Sequence, residues 1–193
     1  MPFTNGYHNR VIYIFDAMRV KILFVCYENI CRSPMAEGIF TDLLFRHGKS
    51  HFFEVSSAGT VCYQSGSSPD NRAVRISERQ GIDITAIRAQ CIHDLDLQGF
   101  DWIFVMDREN YHDVMDVLGS ESGVRVNLMT DFSAVTGGVE IPDPYYGSEK
   151  DFVQVFNELR RASEDIVMFL FDQYAVPGGT ASDGRVSSAL FSL

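Results

Sequence analysis

The chain has 193 residues, of which 46% are hydrophobic and 22% charged, and its formal net charge is −10. That length supports one compact domain with a substantial core, and the acidity excludes nucleic acid as a general partner, because phosphate backbones are bound by basic stripes. A single phosphate in a local positive pocket remains compatible, since local geometry outweighs net charge there.

The four cysteines, Cys26, Cys31, Cys62 and Cys91, form neither a CxxC pair nor a Cys/His zinc pattern, so no metal and no cofactor is expected. An even count permits disulfides, but a chain of this size does not need stapling, and free thiols in a reducing cytoplasm are predicted. Cys62 and Cys91 read as incidental. The N-terminus lacks the basic and apolar regions of a signal peptide. No apolar run approaches the roughly 20 residues of a membrane span.

In chain order, residues 1–17 fit the rest poorly and read as an N-terminal extension. Within them Val11-Ile12-Tyr13-Ile14-Phe15 suits a short edge strand, and Met18 is a candidate start. From Lys21 the pattern turns regular. Residues 21–26 read as a buried strand and residues 34–46 as a helix, with Met35, Ile39, Leu43 and Leu44 at helical spacing and Ser33 as its N-cap. A second strand is expected over 52–56 with a turn at Ser57-Ala58-Gly59-Thr60, then a helix from Pro69-Asp70 through Gln80. Further strands are expected over 102–106 and 124–128, and helices over 108–118 and 148–173. Alternating strands and helices predict an α/β fold, a three-layer α/β/α sandwich with a four-stranded parallel sheet. The domain should span 18–174, with 175–193, small and polar, as a flexible tail.

Parallel strands put the loops after them at one sheet edge, where ligands collect; Cys26, Ser57 and Asp107 all fall at such ends. Cys26-Tyr27-Glu28-Asn29-Ile30-Cys31-Arg32-Ser33 lies between the first core strand and a Ser-Pro helix start. Inward backbone N–H groups, a helix N-terminus and the Arg32 fork make a cradle for a phosphate-like dianion. The same field favours a thiolate at Cys26, which can attack phosphorus. The phosphate-binding loop then comprises Glu28, Asn29, Ile30, Cys31, Arg32 and Ser33. A leaving oxygen needs a proton, and Asp143, held between prolines, is the best candidate acid; burial and thiolate charge should favour its protonated form.

These residues resemble the low-molecular-weight protein tyrosine phosphatases from about Val20 to about Gln173. The strongest matches are Val25-Cys26-x-x-Asn29-Ile30-Cys31-Arg32-Ser33-Pro34-Met35-Ala36-Glu37 and Asp143-Pro144-Tyr145-Tyr146-Gly147. Ser57-Ala58-Gly59-Thr60, Pro69-Asp70-x-Arg72, Gly81-Ile82 and Met106-Asp107-x-x-Asn110 follow in the family's order. The resemblance implies Cys26 as nucleophile, Arg32 as phosphate binder and Asp143 as general acid and then base. A phosphotyrosine protein or small phosphomonoester would be the substrate, and inorganic phosphate the product. It further implies that Asn29, Ser33 and Ser57 hold the loop, that Tyr63 and Tyr145 wall the mouth, and that Cys31 is a resolving thiol for Cys26. Tyr145 and Tyr146 match tyrosines that some members carry phosphorylated.

Two departures stand out. Glu28 replaces a glycine, which adds strain if the turn requires φ > 0 and brings negative charge near a dianion. Gln80 replaces a histidine that supports the loop, a role its amide can share. Competing readings are a thiol arsenate reductase, for which Cys91 lacks a partner in its own stretch, and a phosphoarginine phosphatase, which carries threonine where Ile30 stands. A third is a phosphate-binding module weakened by Glu28.

Overall fold

The computed structural model describes residues 19–119 and 122–176. The strand proposed within 1–17, the start at Met18 and the tail beyond Val176 lie outside the described residues. The strands are β1 (Val20–Cys26), β2 (Phe53–Gly59), β3 (Trp102–Val105) and β4 (Arg125–Leu128). The helices are α1 (Arg32–Arg46), α2 (Asn71–Arg79), α3 (Arg108–Leu118) and α4 (Glu149–Gln173). All strand pairs are parallel, in the order β2-β1-β3-β4.

Strand β1 dictates the layering. Its side chains alternate, so Ile22, Phe24 and Cys26 join the core cluster that holds α1 and α4, while Leu23 and Val25 join the smaller one that holds α3. A strand buried on both faces reads as a continuous apolar run, as Ile22-Leu23-Phe24-Val25 does. The result is the expected α/β/α sandwich. Because the chain leaves β1 toward β2 and leaves the adjacent β3 toward β4, these two connections diverge and open a crevice at the strands' C-terminal edge.

Element boundaries shift in informative ways. Strand β2 runs on through Gly59, so the expected turn at Ser57 is strand; parallel pairing of Cys26 with Gly59 extends the ladder. Asp70 caps α2 by accepting from Arg72 N at 2.8 Å, and Asp107 caps α3 by accepting from Asn110 N at 2.8 Å. Among the described residues, no helix is long and apolar enough to cross a membrane.

The cysteines correct one expectation. Cys62 and Cys91 are disulfide-bonded, with their Cα atoms 5.0 Å apart, while Cys26 and Cys31 are free. A parallel bridge between Gly59 and Cys91 brings the segment containing Cys91 beside β2. The bond thus ties the loop after β2 to its neighbour. Closure of a loop of 29 residues restrains the unfolded chain by about 3.6 kcal/mol. Cys62→Ser should therefore lower the Tm of the non-reduced protein. Dithiothreitol should lower the wild-type Tm to the same extent and leave the variant unmoved; an equal response in both would show that the bond contributes nothing.

Candidate active site

Cys26 ends β1, and the chain then wraps back over its own strand end before α1 begins at Arg32. Asn29 makes this turn with φ 57°. Asparagine tolerates the left-handed region better than most residues. Glu28, expected to be strained, does not have positive φ; the turn places that demand one residue later. Gly59 lies directly beneath: a Cβ there would sit 2.8 Å from the Glu28 carbonyl carbon and 2.8 Å from the Tyr27 oxygen. The loop backbone is pinned by Thr60 N donating to Cys26 O (2.9 Å), Val61 N to Tyr27 O (3.0 Å) and Asp70 N to Ile30 O (2.8 Å).

Inside the loop, the Asn29 amide nitrogen donates to Ser33 Oγ and to Ser57 Oγ, both at 2.8 Å, and its oxygen accepts from Gln90 N at 2.8 Å. Ser33 Oγ lies 3.1 Å from Cys26 Sγ. Ser33 is therefore no N-cap; Cys31 occupies that position without a side-chain bond, and Ser33 turns inward from the first helical turn. Ser57 Oγ donates to Glu37 Oε2 at 2.6 Å. Burial pushes the Glu37 carboxyl above its ordinary range, against the opposing bond from Ser57. Gln80 does not carry the support expected of it: it is exposed at the C-cap of α2, and Gln90 and Glu37 hold Asn29 and Ser57 instead.

Arg32 is nearly fully buried. Its Nη1 donates to Asp107 Oδ2 (2.6 Å) and to the Ile141 carbonyl (3.0 Å), and its Nη2 to Asp143 Oδ2 (2.8 Å). Nε is buried and has no acceptor. Burial is the largest single influence on its pKa and draws it down, but Cys26, Asp143 and Asp107 outweigh it, and the net shift is upward. Asp143 is not buried as expected: its side chain is 42% exposed, and Tyr145 N donates to its other oxygen at 2.9 Å. The Cys31 thiol is pushed up, first by burial and then by Cys26.

Cys26, Ile30, Cys31 and Asp143 line a cleft of about 280 Å³, walled by Tyr27, Tyr145 and Tyr146 with Glu28 and Gln64 beside them. Tyr63 is 82% exposed and outside this lining; Tyr27, not anticipated from sequence, joins Tyr145 in the lining instead. Arg72 braces the Asp143 segment. It is clamped by both Asp70 oxygens, donates to the Gly147 carbonyl at 3.3 Å, and lies 5.6 Å from the Tyr145 ring centre and 4.4 Å from that of Phe152.

Fold and cleft together define an α/β domain with a thiol-bearing loop and a buried arginine at its strand ends. The profile described as low molecular weight phosphotyrosine protein phosphatase matches residues 21–174. The low molecular weight protein-tyrosine-phosphatase YfkJ of Bacillus subtilis is 32% identical over 148 residues, covering 77% of this chain and 94% of its own. The low molecular weight phosphotyrosine protein phosphatase of Gallus gallus is 34% identical over 143 residues, 73% of this chain and 89% of its own. Among solved structures, a protein tyrosine phosphatase from Entamoeba histolytica, with Hepes in its active site, superposes with a TM-score of 0.75 at 34% identity. It covers 80% of this chain and 99% of its own. The chain belongs to the low molecular weight phosphotyrosine protein phosphatase family, whose members are hydrolases.

The buried Glu37 carboxyl has a pH signature. A raised folded-state pKa gives stability that is present below the ordinary glutamate range and lost as pH rises through the folded value. Relative to Glu37→Gln, which does not titrate, the wild type should lose stability over that window and run parallel above it. Urea midpoints measured from acidic to neutral pH check this; curves that stay parallel throughout would exclude it.

Proposed function

We propose that the cleft hydrolyses phosphotyrosine, in proteins and in small aryl phosphates, through a phosphocysteine on Cys26. The observation that carries the reading is Arg32 Nε, a buried donor without an acceptor, in the guanidinium that also pairs with the Asp143 carboxylate. A buried donor left unpaired costs on the order of 1–3 kcal/mol, and a phosphoryl oxygen suits it. A dianion entering the loop competes with Asp107 and Asp143 for the Arg32 fork, so binding substrate frees the Asp143 carboxyl to face the leaving oxygen.

The steps follow from these positions. The Cys26 thiolate attacks phosphorus, the phosphorus–oxygen bond to the tyrosine breaks, and Asp143 gives its proton to the leaving oxygen. Loop amides and Arg32 stabilise the equatorial oxygens. Water then attacks the phosphocysteine while Asp143 takes its proton, and inorganic phosphate leaves with Cys26 again a thiolate. Tyr27 and Tyr145 offer aromatic faces to a phenyl ring. The left-handed residue being Asn29, Glu28 gives no backbone ground for a degraded site. If peroxide oxidises Cys26 to a sulfenic acid, the Cys31 thiol displaces water to form a disulfide, and cytoplasmic thiols restore both.

Wild type should turn over p-nitrophenyl phosphate and phosphotyrosine peptides, and Cys26→Ser should not. Asp143→Ala should lower kcat by about 10²–10³-fold, more for phosphotyrosine than for the better leaving group. Turnover retained by Cys26→Ser would sink the mechanism. Cys31→Ser should lose activity irreversibly faster in peroxide, as judged by the fraction that dithiothreitol recovers; equal recovery would remove the redox role.

A further inference from the structure

We propose that Glu28 is a specificity-determining residue, its carboxylate at the cleft mouth favouring phosphotyrosine that is flanked by lysine or arginine. The inference rests on the phosphotyrosine reading of the cleft and adds a substrate class to it.

The charge inventory of the cleft points there. Its lining contains two carboxylates, Glu28 and Asp143, and no basic residue. Asp143 is satisfied by Arg32. Among the described residues Glu28 has no ion pair and no side-chain hydrogen bond, and it is half-buried. Arg32 lies beneath, nearly buried and already paired with Asp107 and Asp143, so an entering dianion meets one cation matched by carboxylates and, at the lining, the unpaired carboxylate of Glu28. Arg72, the cation beside Tyr145, is held by Asp70 and does not neutralise the mouth.

A phosphopeptide complements that balance of charge only if it brings a cation next to its dianion. A bare or acidic phosphopeptide presents like charge to Glu28. The formal net charge of −10 acts in the same sense at longer range. The carboxylate also comes from a fixed backbone. Gly59 abuts the Glu28 carbonyl, Val61 N holds Tyr27 O, and Asn29 is locked by its amide bonds. Little loop ordering is then spent on binding.

The test compares kcat/KM for phosphotyrosine peptides identical except for lysine, serine or glutamate flanks, on wild type, Glu28→Gln and Glu28→Gly, at low and high salt. The ratio between peptides is internal to each enzyme, so any general change in activity cancels. Wild type should favour the lysine-flanked over the glutamate-flanked peptide by about ten-fold, carried by KM; both variants should reduce the ratio by about three- to five-fold, consistent with a partly exposed ion pair. High salt should shrink the wild-type ratio toward that of the variants. Equal ratios in wild type and Glu28→Gln would overturn the role of Glu28 while leaving phosphotyrosine hydrolysis intact. Failure of wild type to turn over any phosphotyrosine peptide would remove both readings.

Discussion

The Asn29 carboxamide joins three parts of the chain that are far apart in sequence. Its nitrogen reaches Ser33 at the start of α1 and Ser57 in β2, and its oxygen takes the N–H of Gln90. Asn29 is itself fully buried. Every polar group in that cluster needs its partner, because a buried donor or acceptor left unpaired costs on the order of 1–3 kcal/mol. Asparagine does two things that few residues combine: it accepts a left-handed backbone and supplies both a donor and an acceptor. The turn geometry and the fixing of Ser33 beside Cys26 are therefore one constraint.

Arg32 imposes the second. A guanidinium this deep needs anions around it, and the fold supplies Asp107 from the cap of α3 and Asp143 from the segment before α4. Asp107 already accepts a hydrogen bond from Asn110, so it serves helix and guanidinium with different oxygens. Asp143 is the looser partner, with a more exposed side chain, 42% against 20% for Asp107. An incoming anion would displace the exposed carboxylate more readily than the one built into a helix cap. The asymmetry between the two aspartates suits one to holding the arginine and, under the proposed mechanism, the other to exchange with substrate.

The sequence carried the layering almost whole, since β1 is an uninterrupted apolar run and the α4 stripe has helical period. It also pointed to Cys26 and Asp143 as neighbours in one cleft with Arg32 against Asp143, because a thiol and an arginine in one strand–loop–helix turn and a carboxylate between prolines are a selective combination. Three things were not legible. The Cys62–Cys91 bond depends on a bridge between Gly59 and Cys91, and no spacing rule reveals a pairing made by sheet register. The wall tyrosine is Tyr27 because the loop after β2 carries Tyr63 outward, and ring orientation at a surface turn has no sequence signature. Only its position in a motif recommends Gln80, and the end of α2 leaves it in solvent while Gln90, next to the bridge, meets Asn29. Glu37 and Asp107 had a readable signal, as acidic residues within or just after the matched motifs.

The placement of φ > 0 at Asn29 also changes what Glu28 means. Had the left-handed residue been at Glu28, a side chain there would have been paid for in strain, and a weakened loop would have been the economical reading. With ordinary backbone, Glu28 has no such cost, and its effect must be sought in charge. The backbone around it cannot yield, since Gly59 leaves no room beneath and both flanking residues are hydrogen-bonded. On the proposed reading, a carboxylate carried by that fixed backbone beside the cleft disfavours a lone dianion and favours a dianion accompanied by a cation. On that reading, the same geometry that keeps the loop rigid for phosphate would make the loop selective about what the phosphate is attached to.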